Sequence, residues 1–269
     1  MCGIFGVISS NNIINKRDFL SLSRHAQQRG KDSSGLLLRR QNSNNLEIFR
    51  ADYDINKLTS QVMSYKAQFA LGHSRLITNS NGDNQPVTRA DICVLHNGII
   101  VNEKNIWNQL SKEPQSKIDT ETIAALAEAF LETTKTFTAQ KLVKFILEKC
   151  EGVVAAAVYI GRLGKLILFS NNGSLYVGSN SDAHYFSSEK FPLEKIGCKN
   201  IRQVFDKPQE YNLGKHEIKI TEFKVERRKF VSSLGKNVSE EKLLEYNPPI
   251  LKRCNKCILP ETMPFIRFD

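Results

Sequence analysis

The chain has 269 residues, with 38 Lys and Arg against 28 Asp and Glu, a formal net charge of +10. Its 41% hydrophobic and 25% charged residues allow a packed core and exclude a disordered or low-complexity chain. No stretch approaches the ~18 consecutive apolar residues of a membrane span, so no membrane span is expected.

The first residues, Met1-Cys2-Gly3-Ile4-Phe5-Gly6-Val7-Ile8, carry the densest signal. Gly3 to Ile8 is small and apolar and reads as a buried strand. Once Met1 is removed, Cys2 holds a thiol and a free α-amine on one residue. A cysteine titrates near ~8.5 and an α-amine near ~7.7–8.0, so the amine can take the thiol proton near neutral pH. That is a nucleophile with its base already attached. A Cys at position two is equally read, on its own, as an incidental small residue.

Lys16 to Gln28 follows as a helix with Phe19, Leu20, Leu22 and Ala26 on its apolar side. Arg29-Gly30-Lys31-Asp32-Ser33-Ser34-Gly35 breaks the pattern as a loop. Gly35 to Leu38 and Leu46 to Phe49 read as paired strands, and Asp54 to Tyr65 as a short helix. Phe69 to Arg75 is a strand ending in polar residues. Asn79 to Gln85 is turn material around Asn81-Gly82. Ile92 to His96 is a buried strand stopped by Asn97-Gly98.

Helices are expected at Glu103 to Leu110, Thr120 to Glu132 and Thr138 to Lys149. The middle one places Ile123, Leu126, Ala127, Phe130 and Leu131 on one side, with Asp119 at its N-cap. From Gly152 short strands return, at 153–159, 165–169, 175–178 and 184–187. His216 to Val225 reads as an edge strand, and 229–253 as a linker or peripheral segment ending in Asn247-Pro248-Pro249. Strands, then helices, then strands again imply two stacked sheets covered by helices, an α+β chain.

Several residues fit amide chemistry. Asn97 and Gly98 can offer a side-chain and a backbone N–H to one oxyanion, although Asn-Gly is also a plain tight turn. Arg75 can grip a carboxylate, or be a surface arginine. Asp119 can hold an ammonium group, cap its helix, or both. An arginine and an aspartate together describe a free amino acid, and an amide within reach of Cys2 makes that amino acid glutamine. His73 and His96 lie beside this set. A Cys–His pair is conceivable, but structural, hydrogen-bonded histidines are expected because the amine supplies the base.

Six motifs stand in order: Cys2-Gly3-Ile4-Phe5-Gly6, Arg29 to Gly35, Gly72-His73-Ser74-Arg75, Asn84-Gln85-Pro86, His96-Asn97-Gly98-Ile99-Ile100 and Asp119-Thr120-Glu121. Over roughly residues 2–220 this set resembles the glutaminase domain of class II glutamine amidotransferases. The resemblance implies an N-terminal-nucleophile hydrolase fold, a four-layer αββα sandwich of two antiparallel sheets. It implies Cys2 as nucleophile, its freed α-amine as base, and Asn97 with Gly98 as the oxyanion hole. Arg75 and Asp119 would bind the glutamine α-carboxylate and α-amine, Arg29 would brace the nucleophile loop, and Thr78 would join the substrate contacts. Asn79 departs from the His of some members. No metal or cofactor is implied for the glutaminase half.

Six cysteines, at 2, 93, 150, 198, 254 and 257, are scattered except for the last pair. They point to free thiols in a reducing cytoplasm, and no basic-then-apolar leader precedes them. Cys254 and Cys257 are half of a possible zinc site. The run from Cys254 to Asp269 resembles the opening of N-acetyl sugar amidotransferases, ATP-pyrophosphatase-type synthetases of surface-polysaccharide pathways. The expected organisation is therefore a glutaminase domain over 1–228, a segment over 229–253, and the start of a truncated synthetase domain over 254–269. The alternative is a glutaminase with an incidental CxxC tail.

The activity expected is hydrolysis of L-glutamine, with ammonia passed to a synthetase domain or subunit that amidates a sugar and alone requires ATP and Mg2+. An asparagine-synthetase-like enzyme is an alternative acceptor arrangement. A catalytically silent regulatory domain of the same fold is another. Between Lys215 and Cys257 stand 11 Lys and Arg against 6 Glu, five of the ten surplus charges. They suit an anionic partner or acidic neighbouring domain, or a solvated lysine-rich face. No nucleic-acid-binding pattern accompanies them, and nucleic acid is not an expected partner.

Overall fold

The computed structural model describes residues 2–11, 13–41, 43, 45–62, 66–76, 84–205, 207–215 and 223–225. For 223–225 it describes the backbone alone. In chain order the elements are β1 (Gly3–Ser9), α1 (Lys16–Gln27), β2 (Ser33–Arg40), β3 (Leu46–Ala51), α2 (Ile55–Val62), β4 (Ala67–Arg75), β5 (Val87–Arg89) and β6 (Ile92–Ile100). They continue with α3 (Glu103–Leu110), α4 (Thr120–Thr133), α5 (Ala139–Lys149), β7 (Gly152–Ile160), β8 (Lys165–Ser170), β9 (Tyr176–Ser179) and β10 (Ala183–Ser187). The last are α6 (Lys190–Lys195), β11 (Lys199–Gln203), β12 (Gln209–Asn212) and β13 (Phe223–Val225).

Two sheets form. One has eight strands in the order β11-β9-β10-β1-β4-β2-β3-β13, the other five in the order β12-β8-β7-β6-β5. All pairs are antiparallel except β13 on β3. Side chains alternate across each strand, and the alternation builds four layers. Ile4, Leu37, Phe69 and Leu71 of the large sheet meet Leu95, Ala157 and Leu168 of the small one in the central core. Phe5, Val7, Leu36 and Leu38 turn the other way, onto Phe19 and Leu22 of α1 and Ile55 and Leu58 of α2. Val94, Ala156 and Val158 pack outward onto Ile123 and Ala127 of α4 and Leu142 and Ile146 of α5. This is the expected αββα sandwich.

Two expectations need correction. Asn97 and Gly98 do not stop the strand: β6 runs through them to Ile100, opposite Ala155 to Gly152 of β7. Continued pairing with a long neighbour outweighs the turn preference of Asn-Gly. Asp119 occupies the N-cap position of α4 but makes no side-chain cap hydrogen bond. Its carboxylate is used elsewhere. α6, β11 and β12 were not legible, since β11 and β12 are short and largely exposed. β13 is an edge strand, as expected of that region, while residues 216–222 lie outside those described. So do Asn81-Gly82, residues 229–253 and 254–269, including Cys254 and Cys257. Among the described residues no helix is long and apolar enough to cross a membrane.

Candidate active site

β1 lies in the middle of the large sheet, between β10 and β4. Gly3 pairs with Ser74, so Cys2 enters the strand beside Arg75, at the end of β4. Its Sγ lies 4.0 Å from the Leu76 carbonyl oxygen. Burial pushes the Cys2 thiol up from its ordinary range; a backbone contact at Leu76 and the charge of Arg75 offset part of this, while Asp119 adds to it. The thiol is therefore kept protonated and depends on a nearby base to become a nucleophile.

Arg29 Nε donates to the Cys2 carbonyl at 2.8 Å, and its Nη1 pairs with Glu189 Oε1 at 2.8 Å. The loop from Arg29 to Asp32 lies directly on the backbone of Arg75. Asp32 N–H donates to the Arg75 carbonyl at 3.0 Å and Ser74 Oγ donates to the Gly30 carbonyl at 2.7 Å. A Cβ on Gly30 would stand 2.3 Å from the Arg75 carbonyl carbon, so only glycine permits this approach. Arg75 itself is 7% exposed.

Asn97 projects to the central side of β6, on the same face as Leu95. Its Nδ2 reaches Ser188 Oγ at 3.4 Å. That hydroxyl also accepts from Ile4 N–H at 2.9 Å, and Ser188 N–H donates to the Ile4 carbonyl at 2.9 Å. Ser188 thus ties β1, the strand that follows Cys2, to Asn97 on the other sheet.

The outer edge of β6 explains Gly98. β5 accompanies β6 only as far as Val94. Beyond it, the Gln85 side chain accepts from His96 N–H at 2.6 Å and donates to the His96 carbonyl at 3.0 Å. Asp119 Oδ2 accepts from Ile100 N–H at 2.9 Å. Val154, opposite Gly98, gives its N–H and carbonyl to Asn171. Gly98 and Val154 are therefore a non-hydrogen-bonded pair, and the Gly98 N–H points to the same edge as those of His96 and Ile100. A Cβ on Gly98 would lie 1.8 Å from the Val153 carbonyl oxygen.

Asp119 ends a loop that is held by a buried carboxylate. Glu121 Oε2 accepts from Gln115 N–H at 2.9 Å and from Ser116 N–H at 2.6 Å, and Arg89 Nη1 pairs with its Oε1 at 2.8 Å. Glu121 is 1% exposed and Arg89 9%, and Arg89 also binds Glu128.

His96 is fully enclosed and hydrogen-bonded, and burial lowers its pKa below the ordinary histidine value. His73 corrects the expectation of two hydrogen-bonded histidines. Neither of its ring nitrogens makes a hydrogen bond of good geometry among the described residues, the His96 backbone being only a weak contact, and burial lowers its pKa to about 3. It is neutral at physiological pH and no base.

The structure thus gathers Cys2, Arg75, Asn97, Gly98 and Asp119 around the ends of β1, β4, β6 and the start of α4, with Arg29 behind Cys2. Thr78, the remaining expected substrate contact, lies outside the described residues. Ser188, Glu189, Gln85 and Glu121 were missed as supporting residues. Gln85 and Glu121 stood inside quoted motifs. Ser188 and Glu189 carried no local signal, being joined to the site only by folding.

Residues 73–195 match the family model of the glutamine amidotransferase domain. This chain carries a glutamine amidotransferase domain of class II. The domain is 31% identical over 219 residues to the glutamine–fructose-6-phosphate aminotransferase of Campylobacter jejuni, covering 77% of this chain and 35% of that protein. It is 27% identical over 236 residues to the mouse aminotransferase of the same name, isoform 2, covering 76% and 34%. The chain spans about a third of the length of these curated relatives. In fold, the amidotransferase domain superposes on the glutamine phosphoribosylpyrophosphate amidotransferase of B. subtilis with a TM-score of 0.61. That match has 20% identity and covers 79% of this chain and 49% of the other. It shows the N-terminal-nucleophile hydrolase fold.

Proposed function

We propose that this chain hydrolyses L-glutamine to glutamate and ammonia through Cys2. The observation that carries the reading is the placement of a half-buried thiol, a buried guanidinium, a strand-edge amide pair and a carboxylate at one end of the sandwich. After removal of Met1, the Cys2 α-amine takes the thiol proton and the sulfur attacks the glutamine side-chain amide. Asn97 Nδ2 and Gly98 N–H stabilise the oxyanion. The proton passes to the departing ammonia, and water then cleaves the γ-glutamyl thioester, restoring the thiol. Arg75 holds the α-carboxylate and Asp119 the α-ammonium. Arg29, bonded to the Cys2 carbonyl, fixes the nucleophile's backbone. No metal or cofactor enters these steps.

The ammonia goes to a synthetase domain or subunit in the cytoplasm, and ATP and Mg2+ belong to that half. A sugar acceptor, in surface-polysaccharide synthesis, is supported by the resemblance of residues 254–269 to sugar amidotransferases. The names of the relatives, which act on fructose 6-phosphate, agree with it. Acid-quenching the Met1-free protein with glutamine should leave a γ-glutamyl group on the Cys2 peptide by mass spectrometry. A labelled peptide lacking Cys2 would refute the mechanism.

A further inference from the structure

His96 touches both halves of the site, yet it lies on the face of β6 turned away from Asn97. Its Nε2 is 3.2 Å from the Val153 carbonyl oxygen. A carbonyl only accepts, so this nitrogen carries the proton and Nδ1 is bare. Thr120 Oγ1 lies 3.5 Å from Nδ1 and can only be donating to it. Asp119 Oδ2 is 3.9 Å from the same nitrogen. A bare Nδ1 offers that carboxylate no proton, and Asp119 stays on Ile100 N–H, free to face a substrate ammonium. On the other side, the Nε2–H link joins the ring to the carbonyl against which Gly98 is packed. A Cβ on Gly98 would come within 2.6 Å of Nε2.

We propose that His96, as a neutral Nε2–H imidazole, is a positioning residue with two separable jobs: its Nε2 side sets the oxyanion glycine, and its Nδ1 side sets the ammonium-binding carboxylate. The inference rests on the glutaminase reading above. The two nitrogens then act on different kinetic parameters. The Gly98 side acts in the transition state and belongs to kcat, whereas the Asp119 side holds bound substrate and belongs to KM.

Two variants divide the ring. His96→Gln keeps an amide donor near the Nε2 position and loses the Nδ1 acceptor. His96→Asn keeps a polar group near the Nδ1 position and loses the Nε2 donor. His96→Gln should raise KM for glutamine about fivefold, more than it lowers kcat, and His96→Asn should lower kcat about fivefold, more than it raises KM, the size of one typical hydrogen bond. Equal changes in both parameters, no change, or the reverse pattern would overturn the proposal. The tautomer is tested in the wild-type protein without any variant, by 15N spectra of the imidazoles at neutral pH. An Nε2–H signal for His96 is expected; an Nδ1–H form or an imidazolium refutes the inference while leaving the glutaminase reading intact. Absence of glutamine turnover in the Met1-free wild type would instead sink that reading, and with it the kinetic roles.

Discussion

Asn97 Nδ2 and Ser188 Oγ, 91 positions apart in sequence, meet at 3.4 Å. The serine is in turn bound to both backbone groups of Ile4, two residues after Cys2. The Asn97 amide is thus aimed by the strand that follows Cys2. Asn97→Ala should lower kcat for glutamine hydrolysis about 10²–10³-fold, the usual loss for one oxyanion donor. Ser188→Ala leaves the donor but frees it, and should lower kcat about fivefold with little change in KM. Steady-state kinetics on the three proteins checks this. A Ser188→Ala enzyme with raised KM and unchanged kcat would contradict it.

Arg89 offers a test of the loop that delivers Asp119. Its guanidinium neutralises Glu121, which sits almost wholly out of water. Arg89→Met should destabilise the fold by about 3 kcal/mol or more, because it strands a buried carboxylate. It should also raise KM, since Gln115 and Ser116 hang on that carboxylate. Urea unfolding and kinetics read the two effects. A variant as stable as the wild type would show that Glu121 is held by its loop contacts alone.

The architecture was legible because apolar runs dominate it. Gly3 to Ile8, Phe69 to Leu71, Ile92 to Leu95 and Val153 to Tyr159 are strands whatever surrounds them. The candidate site residues were legible as motif members, but their geometry was not. Asn97-Gly98 read as a strand stop because turn preference is local, whereas the length of β7 that overrides it is not. Asp119 reads as a cap as well as an ammonium ligand because the sequence places it before a helix. Only the fold shows that Ile100 N–H has the better claim on its carboxylate. Ser188 and Glu189 lie at the far end of the domain sequence, and nothing near them announces Cys2.

His73 gives the acid side of stability a specific source. Burial, helped by the charge of Arg75, holds its pKa at about 3. A histidine in the unfolded chain titrates near ~6.5. The folded value is the lower one, so the unfolded chain takes up the proton first. The stability due to the neutral ring is complete above about 6.5 and falls as the pH drops toward about 3, by up to about 1.4 kcal/mol per pH unit. Urea midpoints measured near neutrality and near pH ~5 should fall more for the wild type than for His73→Leu. Equal falls would place the acid sensitivity elsewhere.

The Cys2 thiol is proposed to perform the chemistry. Ammonia and glutamate release from saturating glutamine, compared between the wild type and Cys2→Ala with Met1 shown by intact mass to be absent, tests it most directly. The wild type should release the two products in equal amounts and Cys2→Ala should release neither above the uncatalysed background. Undiminished release by Cys2→Ala would contradict the account.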